Sequence, residues 1–257
     1  MKTKKQKAIA ATCAVAFWLL VWHVISLCVG SELVLVSPVK VVQTLFTVIF
    51  DPDFLKTVWY SAARILGGFF TALTLGTVLG WVASRFWVVE TLLRPITAVI
   101  KATPVASFII LVLLWFSGKN LSVIISMLMV FPVIYMNVLE GIRSADEKLL
   151  EMAQVFRLSV GKKLLYIYLP AVAPFFVSAC SVSLGLCWKS GIAAEVIGTP
   201  DGSIGAVFYQ AKIFLQTSEL LAWTVVVVAV SVAFEKLFMF LLLSLIHISE
   251  PTRHAQI

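Results

Sequence analysis

Apolar and polar positions fall in long blocks along this chain. Six apolar stretches, at 8–29, 57–83, 92–116, 121–139, 164–187 and 220–245, each come close to the length a helix needs to cross a bilayer, about 20 residues. Two shorter patterns lie between them. In "SPVKVVQTLFTVIFDPDF", Ser37 can cap a helix with Pro38 at its first position, and Val41, Val42, Leu45, Phe46 and Ile49 share a face opposite Lys40, Gln43, Thr44 and Thr47. Such a pattern suits either a helix lying in the outer membrane interface or a packed connector. In "SADEKLLEMAQVF", Ser144 with Glu147 forms a capping-box pattern, and Leu149, Met152, Ala153 and Phe156 line one face of a short helix. A turn is available at 159–161, and "KKLLYIYLP" then runs into the fifth stretch with Pro170 near its start. An apolar face on such a loop needs a cover, either a partner protein or lipid.

Composition places the whole chain in the membrane. Hydrophobic residues make up 61% and charged residues only 13%, against about 25% charged in soluble proteins. Mean hydropathy is +1.02, and no separate soluble domain has room to fit. The chain therefore reads as one domain over 1–245, with a loop at 141–163 and a tail at 246–257. The basic start "MKTKKQK" resembles that of a signal peptide, but the apolar run behind it is too long and no A-x-A site closes it, so an uncleaved anchor is expected.

Basic residues set the orientation, because short loops rich in Lys and Arg are retained on the cytoplasmic side. With both termini inside, eleven basic residues face the cytoplasm, against five outside: Lys40, Lys56, Lys119, Lys189 and Lys212. The loop at 141–163 falls inside as well. Topology thus accounts for the net charge of +7, and a nucleic-acid partner is not needed to explain it.

Within the second stretch Gly68, Ala72, Gly76 and Gly80 form a stripe of small residues where another helix can approach closely. Pro95, Pro104 and Pro132 predict bends in the third and fourth. Catalytic patterns are missing. Cys13, Cys28, Cys180 and Cys187 show no C-x-x-C spacing, His23, His247 and His254 do not cluster, and no phosphate-binding P-loop occurs. The span interiors read as free of acidic residues and no internal repeat is visible, which disfavours an ion-coupled secondary transporter. An intramembrane enzyme is disfavoured by the missing nucleophile and metal patterns. One charged motif, "WKSGIAAE", closes the fifth stretch. Lys189 and Glu195 point apart on an unbroken helix, so they can pair only if Gly191 breaks the helix or if each meets a partner elsewhere, such as a second copy of the chain; they are expected to help set an outer gate, with snorkelling to the interface as the alternative.

These residues resemble the permease subunits of ATP-binding-cassette importers with the type I fold. The loop signature of that family, E-A-A, three residues, Gly and a later Leu-Pro, is matched by Glu151, Ala153, Leu169 and Pro170. Met152 and Arg157 depart from it, and Arg157 at the signature glycine leaves the turn either there or displaced to 159–161. The segment "CWKSGIAAEVIGTPDGSIGAVFYQAKIFLQTSELLAWTVVVV" is similar to the nitrate, sulfonate and taurine branch.

The resemblance implies an all-α integral membrane protein of about six transmembrane helices in a bacterial cytoplasmic membrane. It implies a coupling helix, with Leu149, Glu151, Met152, Ala153, Phe156, Arg157 and Gly161 docking on a cytoplasmic ATPase subunit. ATP would sit on that partner, with no cofactor on this chain. An external substrate-binding protein would deliver a nitrate, sulfonate, taurine or pyrimidine-precursor solute, and a second permease copy would complete a homodimer.

The tail "SLIHISEPTRHAQI" breaks the last apolar stretch with sudden polarity and resembles translated sequencing-adapter tails, so it is expected to be non-native. Deleting residues 246–257 should leave expression and transport unchanged, as measured by membrane-fraction yield and solute uptake. A clear loss of either would show that the tail matters.

Overall fold

The computed structural model describes residues 4–249; residues 250–257 of the expected non-native tail lie outside them. The described residues contain eleven α-helices and one π-helical stretch. They are α1 (Lys4–Val29), α2 (Pro38–Ile49), α3 (Phe54–Arg85), α4 (Trp87–Ala102), α5 (Val105–Trp115), α6 (Gly118–Arg143), α7 (Glu147–Val155), α8 (Val160–Lys163), the π stretch Leu164–Tyr168, α9 (Leu169–Gly198), α10 (Ile204–Ile213) and α11 (Thr217–Ser249).

Among the described residues, five segments are long and apolar enough to cross a membrane: Ile9–Val29, Phe54–Arg85, Gly118–Arg143, Val160–Gly198 and Thr217–Ser244. The expected third span is different. Its chain turns through 110° between α4 and α5, so it is a broken span or a re-entrant loop. Pro104 causes the break: it has no N–H to continue the helix, and Thr103 before it is extended at φ −82°, ψ 132°. Pro95 and Pro132 sit inside α4 and α6 without ending either helix.

The expectation of acid-free span interiors fails. Glu235 lies within α11 and accepts a hydrogen bond from Ser181 Oγ at 3.0 Å, and Glu195 is fully buried near the end of α9. Lys189, expected in an outside loop, is an exposed residue inside α9.

Ser37 caps α2 as expected, its hydroxyl accepting from the Lys40 N–H. The buried face is narrower than the apolar pattern implied: Val41 and Val48 are buried with Leu45 beside them, while Val42, Phe46 and Ile49 stay exposed. The helix packs against α11 on this side and leaves its other apolar residues uncovered.

The core is built by α3, α6 and α9. Ile65, Phe69, Ile134 and Leu184 are fully buried in it, and α10 and α11 add Ile204, Ala222 and Trp223. The small-residue stripe of α3 faces α6. A methyl added at Gly76 would come 2.9 Å from Ile134 Cβ, and one at Gly80 would come 3.0 Å from the Tyr135 carbonyl oxygen. Gly191 extends this arrangement to α9, where an added methyl would come 2.6 Å from Ile65 Cγ1 and 2.7 Å from Ser126 Oγ. Gly191 therefore permits close packing and does not break its helix.

Neighbouring glycines give a controlled test. Gly67 has open space around its missing methyl, whereas one at Gly68 would strike Ser126 Cβ at 2.8 Å. Gly67→Ala should stabilise the protein by about 0.5–1 kcal/mol through helix propensity. Gly68→Ala should destabilise it by about 1–3 kcal/mol through overpacking. Thermal unfolding midpoints in one detergent would show the opposite signs, and a matching shift for both would refute the packing argument.

Candidate functional site

Two groups of polar and exposed residues lie at opposite ends of the long span that includes α9. The first is the loop carrying α7. Asp146, and not Ser144, caps this helix: its carboxylate accepts from the Lys148 N–H at 2.8 Å, while Ser144 Oγ turns back to the Gly141 carbonyl at 2.8 Å. Both residue types are good caps, and only the path of the chain out of α6 chooses between them.

The helix ends at Arg157, which adopts a left-handed conformation at φ +50°. The Leu158 N–H donates to the Ala153 carbonyl at 2.9 Å and the Arg157 N–H to that of Gln154 at 3.0 Å. This pair of bonds is a Schellman C-terminus, which glycine normally occupies. The turn thus stays at the signature-glycine position despite its arginine, and it has not moved to 159–161. Ser159 is the N-cap of α8, and Gly161 is an exposed helical residue with open space around it.

Ala153, expected on the docking face, is instead fully buried. It packs with Ala145, Ile167, Leu150 and Leu158, so one side of α7 is clamped to the body of the protein. The other side is open. Leu149 and Met152 are nearly half exposed, Phe156 is 71% exposed, and Val155, absent from the expected set, is 79% exposed. Glu151 and Arg157 flank this ridge in solvent.

Just before the loop, Arg143 in the last turn of α6 donates to Glu90 in the first turn of α4 at 2.5 Å. Arg94 stands 3.8 Å from the same carboxylate. This ion pair ties two helices together where the loop leaves the bundle. Glu90 lay outside the expected third span, and its partner is too distant in sequence for periodicity to reveal.

The second group centres on Glu195. Ser61 Oγ donates to its Oε2 at 2.6 Å and in turn accepts from the Ile204 N–H at 2.9 Å, while the Gly205 N–H reaches the same Oε2 at 3.3 Å. The carboxylate and the serine together hold two of the free N–H groups at the start of α10, which favour a negative partner. Oε1 and the nearby Ser122 Oγ are buried and make no hydrogen bond. Lys189 is exposed and has no carboxylate partner among the described residues, so within one chain it does not pair with Glu195. A lone acid in an apolar run just before a Gly-rich turn was the available signal for this site; Ser61 had none.

The first group is a short helix with one face anchored and one face free. The second is a buried brace joining α3, α9 and α10. Neither arranges a nucleophile with a base.

The family pattern described as "binding-protein-dependent transport system inner membrane component" matches residues 72–250. Among similar proteins, an aliphatic sulfonates transport permease, SsuC of Bacillus subtilis, is 30% identical over 209 residues, covering 80% of this chain and 75% of that one. The taurine transport system permease protein TauC of Escherichia coli is 27% identical over 220 residues, covering 83% of this chain and 80% of that one. The nitrate import permease protein NrtB of Synechocystis is 25% identical over 214 residues, covering 79% and 76%. The fold is similar to that of a solved amino acid ABC transporter, with a TM-score of 0.52 at 16% identity, covering 73% of this chain and 93% of that one.

Arg157 carries a left-handed backbone that costs an L-residue roughly 1–2 kcal/mol, part of which glycine returns as unfolded-state freedom. Arg157→Gly should therefore stabilise the end of α7 by about 1 kcal/mol, slowing hydrogen exchange at the Leu158 amide by about fivefold. Arg157→Val should speed it. Unchanged exchange in the glycine variant would show that the turn holds no strain.

Proposed function

Since this chain belongs to the family of inner membrane components of binding-protein-dependent transport systems, as the permease subunit of an ATP-driven importer, we propose that α7 is the helix through which its ATPase subunit moves the membrane helices. One observation carries this reading: α7 is clamped on its Ala153 side and presents Leu149, Met152, Val155 and Phe156 uncovered on the other. A force applied to that ridge passes through the buried contacts with Ile167 into the start of the span ending at Gly198, and through Arg143 and Glu90 into α4. Glu151 and Arg157 flank the ridge and offer charges to the partner; Gly161 leaves space beside it.

ATP is held by the partner subunit, and no cofactor is assigned to this chain. Closure of the ATPase dimer shifts a two-state equilibrium of the permease between inward- and outward-open forms, biased also by the loaded binding protein. One such loop per chain supports a pair of identical permease chains around one path. The basic excess on the loop side supports placing both termini in the cytoplasm. The transported solute is a small anion or zwitterion of the sulfonate, taurine or nitrate class, by similarity to the named relatives. At the far end, Glu195 serves the outer gate by holding α10 against α3 and α9, Gly191 serves it by close packing, and Lys189 is left free for the second copy or the interface.

Docking buries Phe156, which is worth about 1.5–3 kcal/mol. Phe156→Asp should therefore lower retention of the ATPase on permease-containing membranes by about tenfold or more. Undiminished pull-down of the ATPase together with normal transport would overturn the assignment of α7.

A further inference from the structure

Beside the loop helix lies a groove that the transport reading does not use. One part, of about 490 Å³, is an open apolar slot between α3, α6 and the start of α9, walled by Val78, Val138, Leu169 and Val172. The other part, of about 480 Å³ and more enclosed, adjoins it along four residues that line both: Trp81, Ile142, Leu164 and Tyr168. Here the walls turn polar and basic, with Arg85, Lys163, Ser84 and Gln154. Each part has the size of a small-ligand pocket, about 300–1,000 Å³.

The chemistry of the walls selects the occupant. The slot's walls belong to segments long and apolar enough to cross a membrane, and its polar side chains are Thr77, whose hydroxyl is bonded to the Leu73 carbonyl, and Tyr168 at the rim, so it suits a hydrocarbon chain better than a polar solute. Arg85 closes the last turn of α3 and Lys163 immediately precedes the π stretch; neither pairs with a carboxylate among the described residues. Trp81 and Tyr168 stand at the junction of slot and basic rim, where rings with one apolar and one polar edge mark headgroup depth in a bilayer. The π stretch Leu164–Tyr168 supplies two of the four shared wall residues, and such a widened turn often marks a functional position. Basic pockets between membrane helices bind anionic head groups.

We propose that this groove binds one anionic phospholipid, its phosphate between Arg85 and Lys163 and an acyl chain in the slot below. Leu150 and Gln154 of α7 form part of the headgroup wall. The lipid therefore fills the space between the loop helix and α3, and its presence stiffens the joint through which α7 is anchored.

The test uses the assembled transporter extracted in neutral detergent, offered equal amounts of phosphatidylglycerol and phosphatidylcholine with identical chains, and weighed by native mass spectrometry. The wild type should retain phosphatidylglycerol in preference to phosphatidylcholine. The double variant Arg85→Gln, Lys163→Gln should retain it about 30-fold less, from about fivefold per basic residue near an anionic headgroup, with the mass of the protein assembly unchanged. Lys162→Gln, on the exposed side of the same turn, should have no effect, and Val78→Phe, which fills the slot without changing charge, should also lower retention. Equal retention of the two lipids by the wild type, or undiminished phosphatidylglycerol on the double variant, would overturn the proposal. So would a photo-crosslinker at position 164 that captures the ATPase or a second copy of the chain in place of lipid.

Discussion

The close approach of α3 to α6 is the constraint on which the other contacts rest. Inside a bilayer, apolar side chains gain nothing by leaving lipid for protein, so helices are held by the fit of their surfaces. Gly68, Ala72, Gly76 and Gly80 let the two backbones come near enough for that fit, and Gly191 does the same for α9. The hydrogen bonds that follow are short-range and depend on this spacing. Ser126 reaches the Cys187 carbonyl at 3.2 Å, and Ser61 reaches Glu195 across two helices at 2.6 Å. The first of these bonds joins α6 to α9 and the second joins α3 to α9, so the three helices share one close-packed centre.

From this core the molecule extends in two directions with different mechanics. Toward the loop, the contacts are an exposed ion pair, a short helix anchored by a few small buried side chains, and a left-handed turn. These are contacts that can rearrange at modest cost. Toward the other end, a fully buried carboxylate is bonded to a serine and to the start of α10. Breaking that set leaves buried polar groups unsatisfied, which ties α10 to α3 and α9.

Some of this was legible in the residues. Span positions, the α2 cap at Ser37, the small stripe on α3 and the position of the loop helix all follow from spacing within one segment. The cap of α7 was misread because Ser144 and Asp146 are both good caps only two residues apart. Ala153 reads with the open side because it stands at helical spacing from Leu149 and next to Met152; only its contacts with Ala145 and Ile167, from outside the helix, put it at the centre of the clamped face.

The sequence by itself determined which segments enter the membrane and where the loop must lie, because length and apolarity are local properties of a helix in lipid. Only the tertiary structure decided what depends on distant partners. Glu195 is braced by Ser61, 134 residues away; Glu90 is paired with Arg143, 53 residues away. Arg157 takes a glycine's conformation because Leu158 and Ala153 are held in one buried cluster with Ile167. The basic groove at Arg85 and Lys163 exists only because two helix ends far apart in the chain meet at the same depth of the membrane.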